Sequence, residues 1–372
     1  MTSAEVLVVG AGPAGATAAL NLAPSRHVIL VERSREMAAR IGEALAPAAR
    51  RLMSDMGLLA AFEAQGHAPC YANRSVWGAA EPLETDFMRD LDGHGWHLDR
   101  ARFDRWLRGI AVARGAELIA PARIEAIERA GGAWRVELAT DHGAVEVRAD
   151  ILIDAGGRTA PVARRLGACR LALDRLVCGW LCGMADEAGL GVSHVEAVED
   201  GWWYSAPLPG GRRVLAFHTD ADLPAARRAR DREALLGAAK KVEQLATLLS
   251  DCAFRPDGGG GFTAAHSATL APCAGDGWFA AGDAALGFDP LSAQGLLNAQ
   301  FTGLAAAEAA DRRLAGGDGA AIDYARTIAG IAARYRRHLA LWYDAEPRWP
   351  RAPFWQRRRS RASVNAAAPS PG

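Results

Sequence analysis

Lysine is almost missing from this chain. Of 43 basic residues only Lys240 and Lys241 are lysines, and the others are arginine. Net charge is missing too, since 43 acidic residues cancel the basic ones over 372 positions, which excludes a dedicated nucleic-acid binder. No apolar run reaches the ~18 residues of a membrane span. The six cysteines, at 70, 169, 178, 182, 252 and 273, include no Cys-x-x-Cys pair, so no metal site is expected and all six read as buried thiols. The start, MTSAEVLVVG, lacks the basic stretch and cleavage site of a secretion signal and enters a strand directly, from which a cytoplasmic protein is expected. What remains is 50% hydrophobic and 23% charged, enough for a packed core in two domains or one large one.

The strongest local pattern lies in the first 35 residues. A short apolar run, Val6-Leu7-Val8-Val9, leads into Gly10-Ala11-Gly12-Pro13-Ala14-Gly15 and a small-residue helix over Ala16–Leu22. A second run, Val28-Ile29-Leu30-Val31, ends in Glu32-Arg33. This is strand, glycine turn, helix, strand and acid, the order that binds a dinucleotide. Gly10 allows the tight turn, Gly12 lets a pyrophosphate approach the backbone, and Gly15 lets helix and strand pack. Pro13 and Ala14 open the helix whose N–H groups face the anion. Glu32 accepts hydrogen bonds from a ribose.

Further along, apolar residues from Ile41 to Leu59 recur at helical spacing, and residues 66–96 show no helical period. A helix is expected over 99–113, with Phe103, Trp106, Leu107 and Ile110 on one face. Two hairpins follow, one around Asp141-His142-Gly143 and one around Pro209-Gly210-Gly211. Residues 227–250 read as one long surface helix and 257–261 as a flexible break. The stretch 347–372, rich in Arg, Trp and Pro, reads as a solvated, disordered basic tail, or else as a docking segment for an acidic protein partner.

The glycine turn alone does not separate NAD from FAD. The later pattern favours FAD. After the buried run Trp278-Phe-Ala-Ala281 comes Gly282-Asp283, an acid placed for the ribityl hydroxyls of an extended cofactor. The loop Asp289-Pro-Leu-Ser-Ala-Gln-Gly295 then opens a helix at Gly295 and Leu296 whose positive end faces the flavin and stabilises its reduced, anionic form. The expected fold is α/β: a Rossmann-like βαβ FAD domain with an inserted substrate domain on a mixed or antiparallel sheet. We expect the FAD domain to comprise 1–75, 97–175 and 269–346, and the substrate domain 76–96 and 176–268.

These motifs, with Asp154-Ala-Gly-Gly-Arg158 and Phe279-Ala-Ala-Gly-Asp-Ala-Ala285, give a chain that resembles the FAD-dependent aromatic-hydroxylase superfamily, the p-hydroxybenzoate hydroxylase-like flavoproteins, over about residues 4–345. The resemblance adds Arg102, within Leu98-Asp-Arg-Ala-Arg-Phe-Asp104, to the cofactor contacts. Gly42-Glu43-Ala-Leu-Ala-Pro47 is similar to the branch holding flavin halogenases and the flavoprotein maturases of tryptophylquinone amino-acid oxidases. Cys70–Gly78 and Gly201-Trp-Trp-Tyr-Ser-Ala-Pro207 look most like the maturases.

Two departures from the family patterns are informative. Gly156-Gly157 stands where typical hydroxylases have Asp-Gly, which argues against NADPH recruitment through that motif. Halogenases use a lysine near the Gly-Glu region, and none lies near Gly42–Pro47 here. Tyr204 and Ala206 also depart from the halogenase W-x-W-x-I-P pattern. The resemblance therefore implies a monooxygenase that hydroxylates an aromatic small molecule or a tryptophan side chain of a partner protein, supplied with electrons by NAD(P)H or a flavin reductase. A reductase of the geranylgeranyl-reductase type and a non-turnover FAD-binding assembly factor are the alternatives. Trp77, Trp202 and Tyr204 are the expected pocket residues, and His97 and His218 the candidates for proton transfer.

Overall fold

The structure is a computed structural model that describes residues 2–36, 40–87, 91–186 and 191–366, without the side chains of 360–366. Its first sheet is built on the strand Thr2–Val9, which pairs in parallel with Gly143–Asp154 on one side and Val28–Val31 on the other. Glu117–Ile119 and Trp278–Ala280 extend it, also in parallel, and the hairpin Ala122–Ala130/Ala133–Thr140 runs antiparallel off Gly143–Asp154. Val6, Leu7, Val8, Val28, Ile29 and Leu30 are fully buried. Helices cover both faces of a parallel sheet, so its strands read as continuous apolar runs rather than alternating ones. The helices Pro13–Leu22, Arg100–Ala113 and Gly295–Leu314 pack together on this sheet. Asp99 starts the second of them by accepting the Arg102 N–H, a side-chain cap that fixes the helix start the sequence predicts.

The second sheet has seven strands, ordered Arg255–Ala264, Leu176–Met184, Arg212–Asp220, Gly201–Leu208, Val192–Val198, Ala72–Val76 and Leu83–Asp86. All its pairings are antiparallel except Val192–Val198 with Ala72–Val76, so the sheet is mixed. In sequence its first strand begins at Ala72. Side chains alternate across it, as strand geometry demands. Trp202, Val214 and Ala216 face inward with Ile41 and Leu291 of the first domain, while Trp203, Leu215 and Phe217 face outward under the helices of 225–251.

Several local expectations need correction. The long helix at 227–250 is three short ones, Ala225–Arg230, Arg232–Ala239 and Glu243–Asp251. Asp231 takes extended backbone and caps the second by accepting the Ala234 N–H, and Val242 is extended before the third. The glycine run at 257–261 lies within the strand Arg255–Ala264. A Cβ at Gly260 would stand 2.5 Å from the Trp180 carbonyl oxygen, so the glycine permits the pairing rather than breaking it. The helical spacing over 41–59 resolves into a short strand, Ala44–Leu45, and the helix Ala49–Asp55. Cys169 is exposed and Cys182 half-buried, so the cysteines are not uniformly core, and Cys178 and Cys182 share a strand rather than a helix.

The largest correction concerns the basic tail. Residues Pro353–Ala366 form a helix whose first turn docks on the second sheet. Phe354 and Trp355 are fully buried, and the Trp355 indole N–H donates to the Val198 carbonyl at 2.9 Å. Arg358 is buried, pairs with Asp220 at 2.9 Å and lies over the Phe354 ring. Arg357 bridges Asp220 and Asp222. The acidic partner of these arginines is thus within the chain. Residues 367–372 lie outside the described residues.

Candidate functional site

Gly10 turns the chain at φ +101°, where a Cβ would lie 2.3 Å from the Ala155 carbonyl oxygen, and only glycine fits. Gly15 is closed off similarly by the Gly10 carbonyl oxygen, at 1.8 Å. Gly12 differs from both. Its φ of −76° suits any residue, and its ideal Cβ meets no protein atom within 4 Å. The open space in front of Gly12 is therefore available to a ligand. Behind it the helix Pro13–Leu22 begins without a side-chain cap or a first-turn acid, leaving N–H groups free for an anion. Pro13 and Ala14 are buried in that first turn. Glu32 is held at the mouth of the turn, its carboxylate accepting the N–H groups of Ala11 at 2.9 Å and Ser34 at 3.2 Å. Arg33 points to solvent.

The distant Gly282-Asp283 turn packs directly on this helix. Gly282 has φ +59°, its ideal Cβ would be 2.7 Å from that of Ala14, and its N–H donates to Thr302 Oγ1. The Asp283 carboxylate is half-exposed and pairs with Arg158 at 3.2 Å. Gly303 of the helix Gly295–Leu314 lies against the Ala14 carbonyl, which sets the two long helices side by side. This second helix also starts without a side-chain cap or first-turn acid. Gly295 faces open space and Leu296 is buried. Two uncapped helix starts on adjoining helices fit an extended cofactor that carries a pyrophosphate and, when reduced, a second negative charge on its ring.

Two buried carboxylates hold neighbouring turns, at 154–163 and 289–291. Asp154 accepts the N–H groups of Gly156, Val162 and Ala163, and burial pushes its pKa up to about 6. Asp289 accepts the Leu291 N–H and the Tyr343 hydroxyl, and burial pushes it up to about 7. Sequence reasoning placed Asp289 in the flavin-side loop without assigning it a role. Its Asp-Pro pattern, an acid just before a turn, is the signal that was available.

Arg102 does not face the turns. It reaches back to the Gly66 carbonyl at 3.3 Å, beside His67. On a helix, residues two apart lie on opposite sides and residues four apart share one. The positions that face the site are Arg100, Asp104 and Arg108. Arg100 pairs with Asp104 and donates to the Gly42 carbonyl at 2.7 Å, and the Arg108 charge faces Glu32 and Asp104.

Of the residues expected to line a pocket, Trp202 is sealed in the core, stacked on His218 with ring centroids 3.7 Å apart and bonded to the Tyr343 hydroxyl. Trp77 and Tyr204 are half-buried at the seam between the domains, as are Ile41, Cys182 and Leu291. Burial pushes His97 and His218 each down to about 3, so both rings are neutral at pH 7 and unsuited to accept a proton. The carboxylate at the seam is Glu43, which sequence reasoning used only as part of a motif. It is buried, its Oε2 accepts the Gly42 N–H at 2.8 Å, and the Tyr204 hydroxyl stands beside it without a well-formed hydrogen bond.

Two surface grooves lie elsewhere. One of about 590 Å³ is lined by Arg164, Cys169, Arg170 and His266, and Arg170 donates to the Asp283 carbonyl. A larger one, about 810 Å³, lies on the outer side of the second sheet among Trp203, Arg228, Lys241 and Phe354 and shares no residue with the cofactor turns. Among the described residues no helix is long and apolar enough to cross a membrane.

The paired helix starts and the open approach at Gly12 suit a dinucleotide cofactor, and the comparisons place the chain among FAD-dependent oxidoreductases. Residues 3–299 match the FAD binding domain family, and the chain belongs to it. The chain is 30% identical over 384 aligned positions to LodB of Marinomonas mediterranea, named as an FAD-dependent oxidoreductase, covering 99% of this chain and 100% of that one. Among solved structures it is similar to the myxobacterial chondrochloren halogenase CndH, with a TM-score of 0.87, 22% identity, and 98% and 89% of the two chains covered. It is also similar to the peptidyl tryptophan dihydroxylase QhpG, essential for tryptophylquinone cofactor biogenesis, with a TM-score of 0.70, 27% identity, and 96% and 79% covered. Fold and family therefore agree with the superfamily and branch expected from the motifs.

Proposed function

We propose that this protein is an FAD-dependent monooxygenase that hydroxylates an aromatic ring, and specifically a tryptophan side chain in a partner protein. The observation that carries the reading is the make-up of the seam. A tyrosine, a tryptophan and a carboxylate, Tyr204, Trp77 and Glu43, stand there, and no lysine does. Lys240 and Lys241 follow the helix Arg232–Ala239 on the outer side of the second sheet, where Lys241 lines the larger groove. That arrangement disfavours halogenation, in spite of the similarity to halogenases. The similarity to QhpG supports a peptidyl tryptophan as substrate.

Bound FAD, once reduced, would supply the electrons that activate dioxygen. The chain's own part is to hold the cofactor's phosphates at Gly12 and the start of Pro13–Leu22 and its ribose at Glu32. It also keeps an anion-stabilising helix start at Gly295 and presents an apolar, aromatic wall to the ring. We assign residues 76–96 and 176–268 to substrate binding, together with the docked helix after 352, in a protein acting in the cytoplasm. The donor would be NAD(P)H or flavin from a reductase, and the groove at Arg164 and Arg170 favours one bearing phosphate.

The test is anaerobic reduction of the flavoprotein, mixing with dioxygen, and measurement of peroxide released with and without a tryptophan-containing partner peptide. The reading predicts that the peptide suppresses peroxide release and gains oxygen. Peroxide release unchanged by the peptide favours the reductase or assembly reading.

A further inference from the structure

Aromatic hydroxylation leaves a proton to be disposed of. When a ring carbon gains an oxygen atom from dioxygen, it briefly carries both the new hydroxyl and its former hydrogen. Aromaticity returns when that C–H bond breaks, its electron pair re-enters the ring and the hydrogen leaves as a proton. Reduced flavin provides the two electrons, and the second oxygen atom leaves as water. The histidines are poor acceptors, being buried and neutral. Asp289 is committed to the Leu291 N–H and the Tyr343 hydroxyl.

Glu43 is placed differently. Its backbone is pinned, since its carbonyl accepts the Leu98 N–H at 2.8 Å and the neighbouring Gly42 carbonyl accepts from Arg100. Its side chain projects into the seam, where Ile41 and Leu291 from the first domain pack with Cys182 and Tyr204 from the second. One carboxylate oxygen accepts the Gly42 N–H at 2.8 Å, and the Tyr204 hydroxyl stands within reach of the group. The Tyr204 hydroxyl is itself buried and without a partner, and it faces the same carboxylate. A buried hydroxyl outside good hydrogen-bond geometry is costly unless it can turn onto an acceptor close by, and the Glu43 carboxylate is that acceptor.

We propose that Glu43 is the proton acceptor of the hydroxylation and that Tyr204 positions its carboxylate toward the ring. This deepens the function proposed above and rests on it. The charged and titratable groups facing Glu43 are Tyr204 from the strand Gly201–Leu208, Cys178 and Cys182 from Leu176–Met184, and Arg100 from the helix Arg100–Ala113. Burial raises the Glu43 pKa, with Tyr204 and Arg100 opposing it, which moves the group toward the working range of a general base.

The experiment compares wild type, Glu43→Gln, Glu43→Asp and Tyr204→Phe as FAD-loaded full-length chains, on a tryptophan-containing peptide, with an infrared titration of the buried carboxyl band in parallel. Glu43→Gln should keep its FAD and lose about 10²-fold or more of product formation, without a matching rise in peroxide release because the acceptor acts after oxygen transfer, and it should lose the acid limb of the pH profile. Glu43→Asp should recover part of the activity. The carboxyl band should vanish in Glu43→Gln and should titrate at higher pH in Tyr204→Phe, because the hydroxyl that favours the carboxylate is gone. Product formation within about threefold of wild type in Glu43→Gln overturns the assignment, as does a band that does not move in Tyr204→Phe. A wild-type enzyme that never oxygenates the peptide overturns the proposed function instead, and the band still reports on the Glu43–Tyr204 pair.

Discussion

Gly12→Asp should separate folding from cofactor binding with effects of opposite sign. Gly12 is the residue preceding the helix Pro13–Leu22, in extended backbone that any residue adopts, and its Cβ direction is open. Asp is a better helix cap than Gly by a few tenths of a kcal/mol, so the apoprotein should unfold at the same denaturant concentration as wild type or a slightly higher one. The same carboxylate stands where the pyrophosphate must approach. At about 4 Å and an effective dielectric of about 20, two like charges repel by about 4 kcal/mol, which corresponds to an affinity loss of about 10³-fold. Titration of apoprotein with FAD by fluorescence quenching, alongside urea unfolding of both apoproteins, measures the two effects. FAD affinity within about tenfold of wild type would refute the placement of the phosphates. An apoprotein destabilised by more than about 1 kcal/mol would refute the geometry read at Gly12.

Three further expectations rest on other parts of the molecule. Trp355→Ala should cost about 3–5 kcal/mol in urea unfolding, because the indole is fully buried and bonded to Val198, whereas a solvated tail would give no change. Arg102→Ala should leave FAD affinity within about twofold, while Arg108→Ala should weaken it by about 5- to 10-fold, since only Arg108 faces Glu32. Asp222 is held down to about 2, chiefly by the hydrogen bond from Arg357. A depressed carboxylate stabilises the fold above its unfolded pKa of about 4 and loses that contribution as pH falls toward 2. Its side chain is 34% exposed, so the contribution is at most about 1 kcal/mol, and the urea-midpoint difference between wild type and Asp222→Asn should shrink between pH 5 and pH 3.

Local chemistry made much of the fold legible. The glycine turn, the buried runs, the Asp99 helix start and both hairpins follow from spacing and from residues that act on their immediate neighbours. What escaped depends on distant partners. The arginines of the C-terminal helix read as a solvated run because the acids that hold them, Asp220 and Asp222, lie more than a hundred positions away in sequence. Residues 257–261 read as a break because glycine weakens a strand, and only the close approach to Trp180 explains why it is required there. Arg102 comes from the resemblance, which leaves Arg100 and Arg108 aside, because a motif gives residue order and not the side of the helix each residue faces. Glu43 escaped for a related reason, since the groups that face it in the buried seam, Cys178, Cys182 and Tyr204, lie more than 130 positions later.

The central claim is oxygen transfer to an aromatic ring. Its most direct test supplies the reduced, FAD-loaded protein with isotopically labelled dioxygen and a tryptophan-containing partner peptide in buffer containing chloride and bromide, followed by mass spectrometry of the peptide. The account predicts one labelled oxygen on the tryptophan for each turnover and no halogen. Halogenated peptide, or labelled peroxide and water with the peptide unchanged, would contradict it.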